Sequence, residues 1–61
     1  MSDVFKVFVE NSYVGDASSI SEGNRIAYQI ANKLYSGGNR VQIKMIDQNG
    51  QLRASGNTYI A

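Results

Sequence analysis

Reactive chemistry in this chain would have to be built from few parts. The acids are Asp3, Glu10, Asp16, Glu22 and Asp47, and the cations are Lys6, Arg25, Lys33, Arg40, Lys44 and Arg53. There is no histidine and no cysteine. That removes the commonest transition-metal ligand and the usual acid–base catalyst, and it excludes disulfides and thiolate metal sites. Ser18, Ser19 and Ser21 supply hydroxyls without a histidine or other base to activate them. Asp47-Gln48-Asn49-Gly50 places a carboxylate and amides ahead of a glycine, which could be half of a cation loop or of a phosphate cradle. A calcium loop needs several more carboxylates at fixed spacing and a helix on each side. A phosphate cradle needs glycines leading into a helix. Both flanks of this segment read as strands, so it is expected to be a hairpin turn. A lysine nucleophile needs a desolvated pocket, for which a domain this small has little room. No catalytic, cofactor-binding or metal-ligating residue is assigned, and no enzyme activity or small-molecule substrate is expected.

The elements that must position these groups follow from periodicity. Val4-Phe5-Lys6-Val7-Phe8-Val9-Glu10 is β-branched and aromatic, with Phe5, Val7 and Val9 on one face and Lys6, Phe8 and Glu10 on the other. Asn11-Ser12 is turn chemistry. A weaker strand runs from Tyr13 to about Ser18, with Gly15 marking a bulge or a close neighbour. Ser19-Ile20-Ser21-Glu22 fits a capping box, in which Ser19 accepts from the Glu22 N–H and the Glu22 carboxylate reaches back. Gly23, Ile26, Ala27, Ile30, Ala31 and Leu34 then share one face of a helix of about 16–18 residues. Gly37-Gly38 ends it. In Arg40–Ile46, Val41, Ile43 and Met45 point inward while Arg40, Gln42, Lys44 and Ile46 point out. Asp47 suits the first position of a type I turn and Gly50 the left-handed position after it. A last strand starts at Leu52, is expected to break or bulge at Gly56-Asn57, and resumes at Thr58-Tyr59-Ile60. Its face assignment stays open, because one residue of loop length reverses it.

This order, strand–strand–helix–strand–strand, predicts a single-domain α+β two-layer sandwich over residues 1–61, a ββαββ fold. Four antiparallel-rich strands carry one helix on one face. If the first and last strands meet in the middle they pair in parallel, as in a β-grasp sheet; otherwise the two hairpins are placed differently.

The run from Ser19 to Tyr59 resembles the YegP-like group of small bacterial domains of unknown function. The likeness lies in Ser19-x-x-Glu22, Ala27, Ala31, Val41-Gln42-Ile43, Asp47-Gln48-Asn49-Gly50, Leu52-Arg53 and Thr58-Tyr59. Gly23 stands where that group usually has alanine, and Gly56-Asn57 replaces more charged residues. The resemblance implies the ββαββ fold and no activity. Ala17-Ser18-Ser19-Ile20-Ser21 with Arg25-Ile26-Ala27 is similar to part of a small phage anti-CRISPR protein, which implies an inhibitor acting by protein contact.

Sixty-one residues with net charge +1 do not by themselves point to DNA, a membrane or an acidic substrate. No apolar run approaches the ~20 residues of a membrane span. Met1-Ser2-Asp3 lacks the basic start of a signal peptide, and a cytoplasmic location is expected. A core this small rarely supplies more than ~3–5 kcal/mol, so a partner chain would help. Phe8 and Ile46 interrupt the polar alternation expected of a wet sheet face. With Val4 beside them, they are therefore expected to form a protein-contact patch rimmed by Lys44 and Gln42, with Lys6 and Arg53 on the same face and Tyr28 and Tyr13 extending it. The partner is another protein or a second copy (a homodimer), the latter through sheet–sheet or edge-strand pairing. The alternative is a nucleic-acid-binding face, in which Lys6, Lys44 and Arg53 neutralise phosphate while Phe8 stacks on a base.

Overall fold

The computed structural model describes residues 4–61. Met1, Ser2 and Asp3 lie outside the described residues, and with them the acid Asp3 and the reading of the N-terminus as lacking a leader. Strand β1 (Phe5–Val9) and strand β2 (Ser12–Ala17) form a first hairpin. Helix α1 (Ile20–Tyr35) follows, then strand β3 (Asn39–Ile46) and strand β4 (Leu52–Ile60). The sheet order is β2-β1-β3-β4, and every pairing is antiparallel. This is the expected ββαββ α+β sandwich. The β-grasp option does not occur: β1 lies against β3, not β4.

The turn between β1 and β2 contains only Glu10 and Asn11, both at positive φ (51° and 66°). Two left-handed central residues make the turn whose twist matches that of the flanking strands. Glu10 is unusual there, because a side chain in that conformation costs roughly 1 kcal/mol. A compensation is visible. The Glu10 N–H donates to the Gln42 carbonyl at 2.9 Å, and the Gln42 N–H donates to the Glu10 carboxylate at 2.7 Å. The carboxylate thus stands in for the carbonyl that the turn has rotated away from β3.

Helix α1 begins as its sequence requires. The Glu22 N–H donates to Ser19 Oγ at 3.1 Å. The Glu22 carboxylate reaches one residue further back than a capping box would take it, accepting from the Ser18 N–H (2.8 Å) and hydroxyl (3.2 Å). Gly23, Ala27 and Ala31 are buried against the sheet. Small side chains let the helix lie close, and Gly23 does so most tightly: a Cβ there would collide with the Met45 thioether and press on Val7. Leu34 is exposed, contrary to expectation. Three and four residues beyond Ala31 fall on either side of the contact line, and Tyr35 takes the inward place.

The core comprises Phe5, Val7, Val9, Ala17, Ala27, Ala31, Val41, Ile43, Met45 and Ile60, so the inward faces of β1 and β3 are those read from alternation. The extra residue that bulges β2 is Val14, beside Gly15. Strand β4 neither breaks nor bulges at Gly56-Asn57; Gly56 pairs with Ile43 and Asn57 with Gln42. The long ladder to β3 overrides the weak strand preference of those two residues. The irregularity in β4 lies instead at Arg53, between Leu52 opposite Ile46 and Ala54 opposite Met45. Among the described residues, no helix is long and apolar enough to cross a membrane.

Candidate functional site

Because α1 covers one side of the sheet, the side chains alternating with the core residues form an open face on the other. Register places them in rows. Tyr13, Phe8, Lys44 and Ser55 lie side by side across β2, β1, β3 and β4. The next row holds Asp16, Lys6, Ile46 and Leu52. Phe8 and Ile46 are therefore diagonal neighbours on the two central strands, within reach of one another. Both are half-buried, and among the described residues no element covers this face. Tyr13 and Leu52 extend the apolar surface to the two edges and are 55% and 56% exposed.

The Phe8 and Tyr13 rings meet edge to face, with centroids 5.9 Å apart, an arrangement worth about 0.5–1.5 kcal/mol beyond area burial. The Tyr13 hydroxyl donates to Asp16 Oδ1 at 2.7 Å. That bond to a carboxylate, helped by desolvation and the negative charge, raises the phenol pKa. The patch is thus pre-ordered at its β2 end, with the ring of Tyr13 propped by an acid on the same face.

The expected site residues divide. Phe8, Ile46, Lys6 and Lys44 share the open face, together with Tyr13. Tyr28 does not join them: it belongs to α1, on the other side of the sheet, where it is exposed. Arg53 is at the β3–β4 turn, its Nη1 donating to Asp47 Oδ2 at 3.2 Å. A guanidinium held there leaves two lysines beside Phe8, where three cations were expected. Leu52 and Tyr59, both exposed on the open face opposite Ile46 and Arg40, went unassigned in the sequence. Their face depends on the bulge at Arg53, which no local pattern announces.

Asp47 is a turn former. Its Oδ1 accepts from the Asn49 and Gln51 N–H groups, each at 2.9 Å. The Gly50 N–H donates to its carbonyl at 3.0 Å, and Gly50 sits at φ 81°. The Gln51 N–H above all, with Arg53 and Asn49, holds the Asp47 carboxyl below its ordinary pKa despite desolvation. The carboxylate is saturated by its own hairpin. Glu22 is engaged likewise: the bond from the Ser18 N–H, then that from its hydroxyl, lowers its pKa. A carboxylate stabilised in its ionised form is a weaker base, so the Ser18–Glu22 pair is poorly suited to making a nucleophile. Among the described residues no three acids gather as a metal site would need.

A further concavity lies on the helix side, between Asn24 of α1 and strand β4. It is a shallow groove of about 220 Å³ lined by Asn24, Ile43, Met45, Ala54, Gly56 and Thr58, among others. Compared with known proteins, the chain matches no family model, no curated protein and no solved structure.

Proposed function

We propose that this chain is a small, non-enzymatic, homodimeric protein-binding module whose open sheet face carries the contact with a partner protein. The observation behind this reading is the position of Phe8 and Ile46 at the centre of the uncovered face, flanked by Tyr13 and Leu52. A face meant only for water would alternate to polar residues there. An aromatic and aliphatic centre with a rim of Lys6, Lys44, Asp16 and Gln42 has the composition of an interface. The bland reading, a solvated face with stray apolar residues, accounts less well for four apolar side chains gathered on adjacent strands. The limited core, in which the largest fully buried side chains are Met45, Ile60 and three valines, gives self-association a stabilising role. An inhibitor or regulator of the phage type, working in the cytoplasm, would use a surface of this sort.

The alternative is nucleic-acid binding, favoured by Lys44 directly opposite Phe8 and Lys6 two residues along β1. Asp16 opposite Lys6, and Arg53 tied to Asp47, weigh against it. Immobilised wild-type chain and the variants Phe8→Asp and Ile46→Asp, challenged with extract of the native host, discriminate the two. The protein-binding reading expects a protein retained by wild type, lost from both variants, and insensitive to nuclease. Retention abolished by nuclease or by moderate salt, which weakens phosphate contacts steeply, would transfer the face to the alternative. Equal retention by wild type and both variants would remove the face from function.

A further inference from the structure

The two edges of the sheet are treated differently. Strand β2 is short, bulged at Val14, and carries Asp16; its Ala17 is buried with the small residues of α1. These are devices that keep an edge from pairing with another chain. Strand β4 confines its own bulge and charge to Arg53 at its start, which leaves residues 54–60 regular. It runs nine residues without proline, its lone charge is Arg53 near one end, and most of it is exposed. The helix leaves the groove between Asn24 and Gly56 open beside it.

The direction of its unused hydrogen bonds can be worked out. Gln42 exchanges its bonds with Glu10, so its polar groups face β1. Backbone groups alternate along a strand, so those of Val41 and Ile43 face β4. Their partners Thr58 and Gly56 then face β3, and the N–H and C=O groups of Ser55, Asn57 and Tyr59 point outward.

From this we infer that a second copy of the chain pairs antiparallel along the outer edge of β4, about a two-fold axis at Gly56. In that register Ser55 exchanges bonds with Asn57 of the second copy, using the groups that point outward on both strands. Ala54 lies beside Thr58 of the second copy, and Gly56 meets Gly56 as a pair without hydrogen bonds, where the chains approach closest. Arg53 falls opposite Tyr59 of the second copy, so the two arginines stay at opposite ends. The interface is isologous, as a closed dimer requires. It joins the two open faces into one continuous surface and brings the two helix-side grooves together. The inference rests on the homodimeric part of the proposed function and places the self-contact on the edge, leaving Phe8 and Ile46 free for a partner.

Solution mass measured by light scattering across concentration tests it, alongside cross-linking. Wild type and Phe8→Asp should both rise to dimer mass. Asn57→Pro, which removes one outward N–H, and Ser55→Lys/Asn57→Lys, which sets like charges opposite each other, should stay monomeric with unchanged circular dichroism. In the monomer a Cβ at Gly56 meets nothing within 4 Å, so Gly56→Cys should fold and, under mild oxidant, form a disulfide-linked dimer. The closest pairing distance across antiparallel strands lies within disulfide range. Ser55→Cys, offset from its own copy, should cross-link far more slowly. A wild type monomeric at every concentration would overturn the inference. So would a dimer abolished by Phe8→Asp but untouched by the edge variants, which would relocate the contact to the open face. Failure of host-protein capture with dimer mass intact would count against the proposed function alone.

Discussion

Each hairpin of this sheet is held by a carboxylate, but the two act over different distances. Asp47 works inside its own turn: its oxygens take the N–H groups of Asn49 and Gln51 and the guanidinium of Arg53, six residues away. Glu10 works across the chain, closing onto the Gln42 N–H 32 residues later. The β3–β4 turn is therefore self-sufficient, whereas the β1–β2 turn is complete only once β3 has docked. Glu10 carries a left-handed backbone as well, a local cost that is offset by a long-range bond. The difference teaches that one turn is a local instruction and the other a joint between two halves of the fold.

The strongest way to break that contrast is Asp47→Ala. It removes two charge-assisted backbone bonds and strands Arg53, so thermal unfolding should fall by several degrees. A peptide of β3–β4 carrying the substitution should lose its residual hairpin signal by NMR. Next comes Glu10→Ala, which deletes the acceptor for Gln42 and keeps the strained conformation. Chemical denaturation should show a loss of about 1–2 kcal/mol. Glu10→Gly should recover roughly 1 kcal/mol of that by relieving the backbone; equal losses for the two variants would show that strain plays no part. Gly50→Ala, at φ 81°, should cost about 1 kcal/mol, and its effect should stay within the second hairpin when read by amide exchange.

The smallest effect sharpens the comparison through pH. Asp47 and Glu22 have folded pKa values below their ordinary 3.8 and 4.5. In acid the unfolded chain then takes up protons that the folded chain resists. Stability from these groups is complete above the unfolded values and is lost as pH falls through the folded ones. Asp47→Asn should flatten the acid limb of a stability–pH curve below about pH 4. An unaltered limb would mean that the turn bonds do not favour the ionised form.

The sequence made the local devices legible. Ser19 and Glu22 announced the helix start, Asp47 and Gly50 the second turn, and the alternation in β1 and β3 separated Val7 and Met45 from Phe8 and Ile46. What stayed hidden depends on partners far along the chain. The β1–β3 pairing has no sequence mark, since the bond from Gln42 to Glu10 needs both hairpins in place. The face of Leu52 turns on a bulge at Arg53. Tyr28 suits an interface by residue type, yet the sheet itself stands between it and Phe8. Leu34 and Tyr35 competed for one inward place, and periodicity cannot choose between neighbours 100° apart.

The contact of Gly23 with the Met45 thioether has a consequence for chemical ageing. Met45 is 1% exposed and its sulfur lies beneath the first turns of the helix, at the floor of the groove beside Asn24, so an oxidant reaches it most readily when the helix lifts. Once it has gained an oxygen, the bulkier and polar sulfoxide has no room to return under a residue chosen for lacking even a methyl group. Each opening is thus an occasion for damage that lasts until the sulfoxide is reduced, and the rate of peroxide uptake at Met45 reports the fraction of time the two layers stand apart.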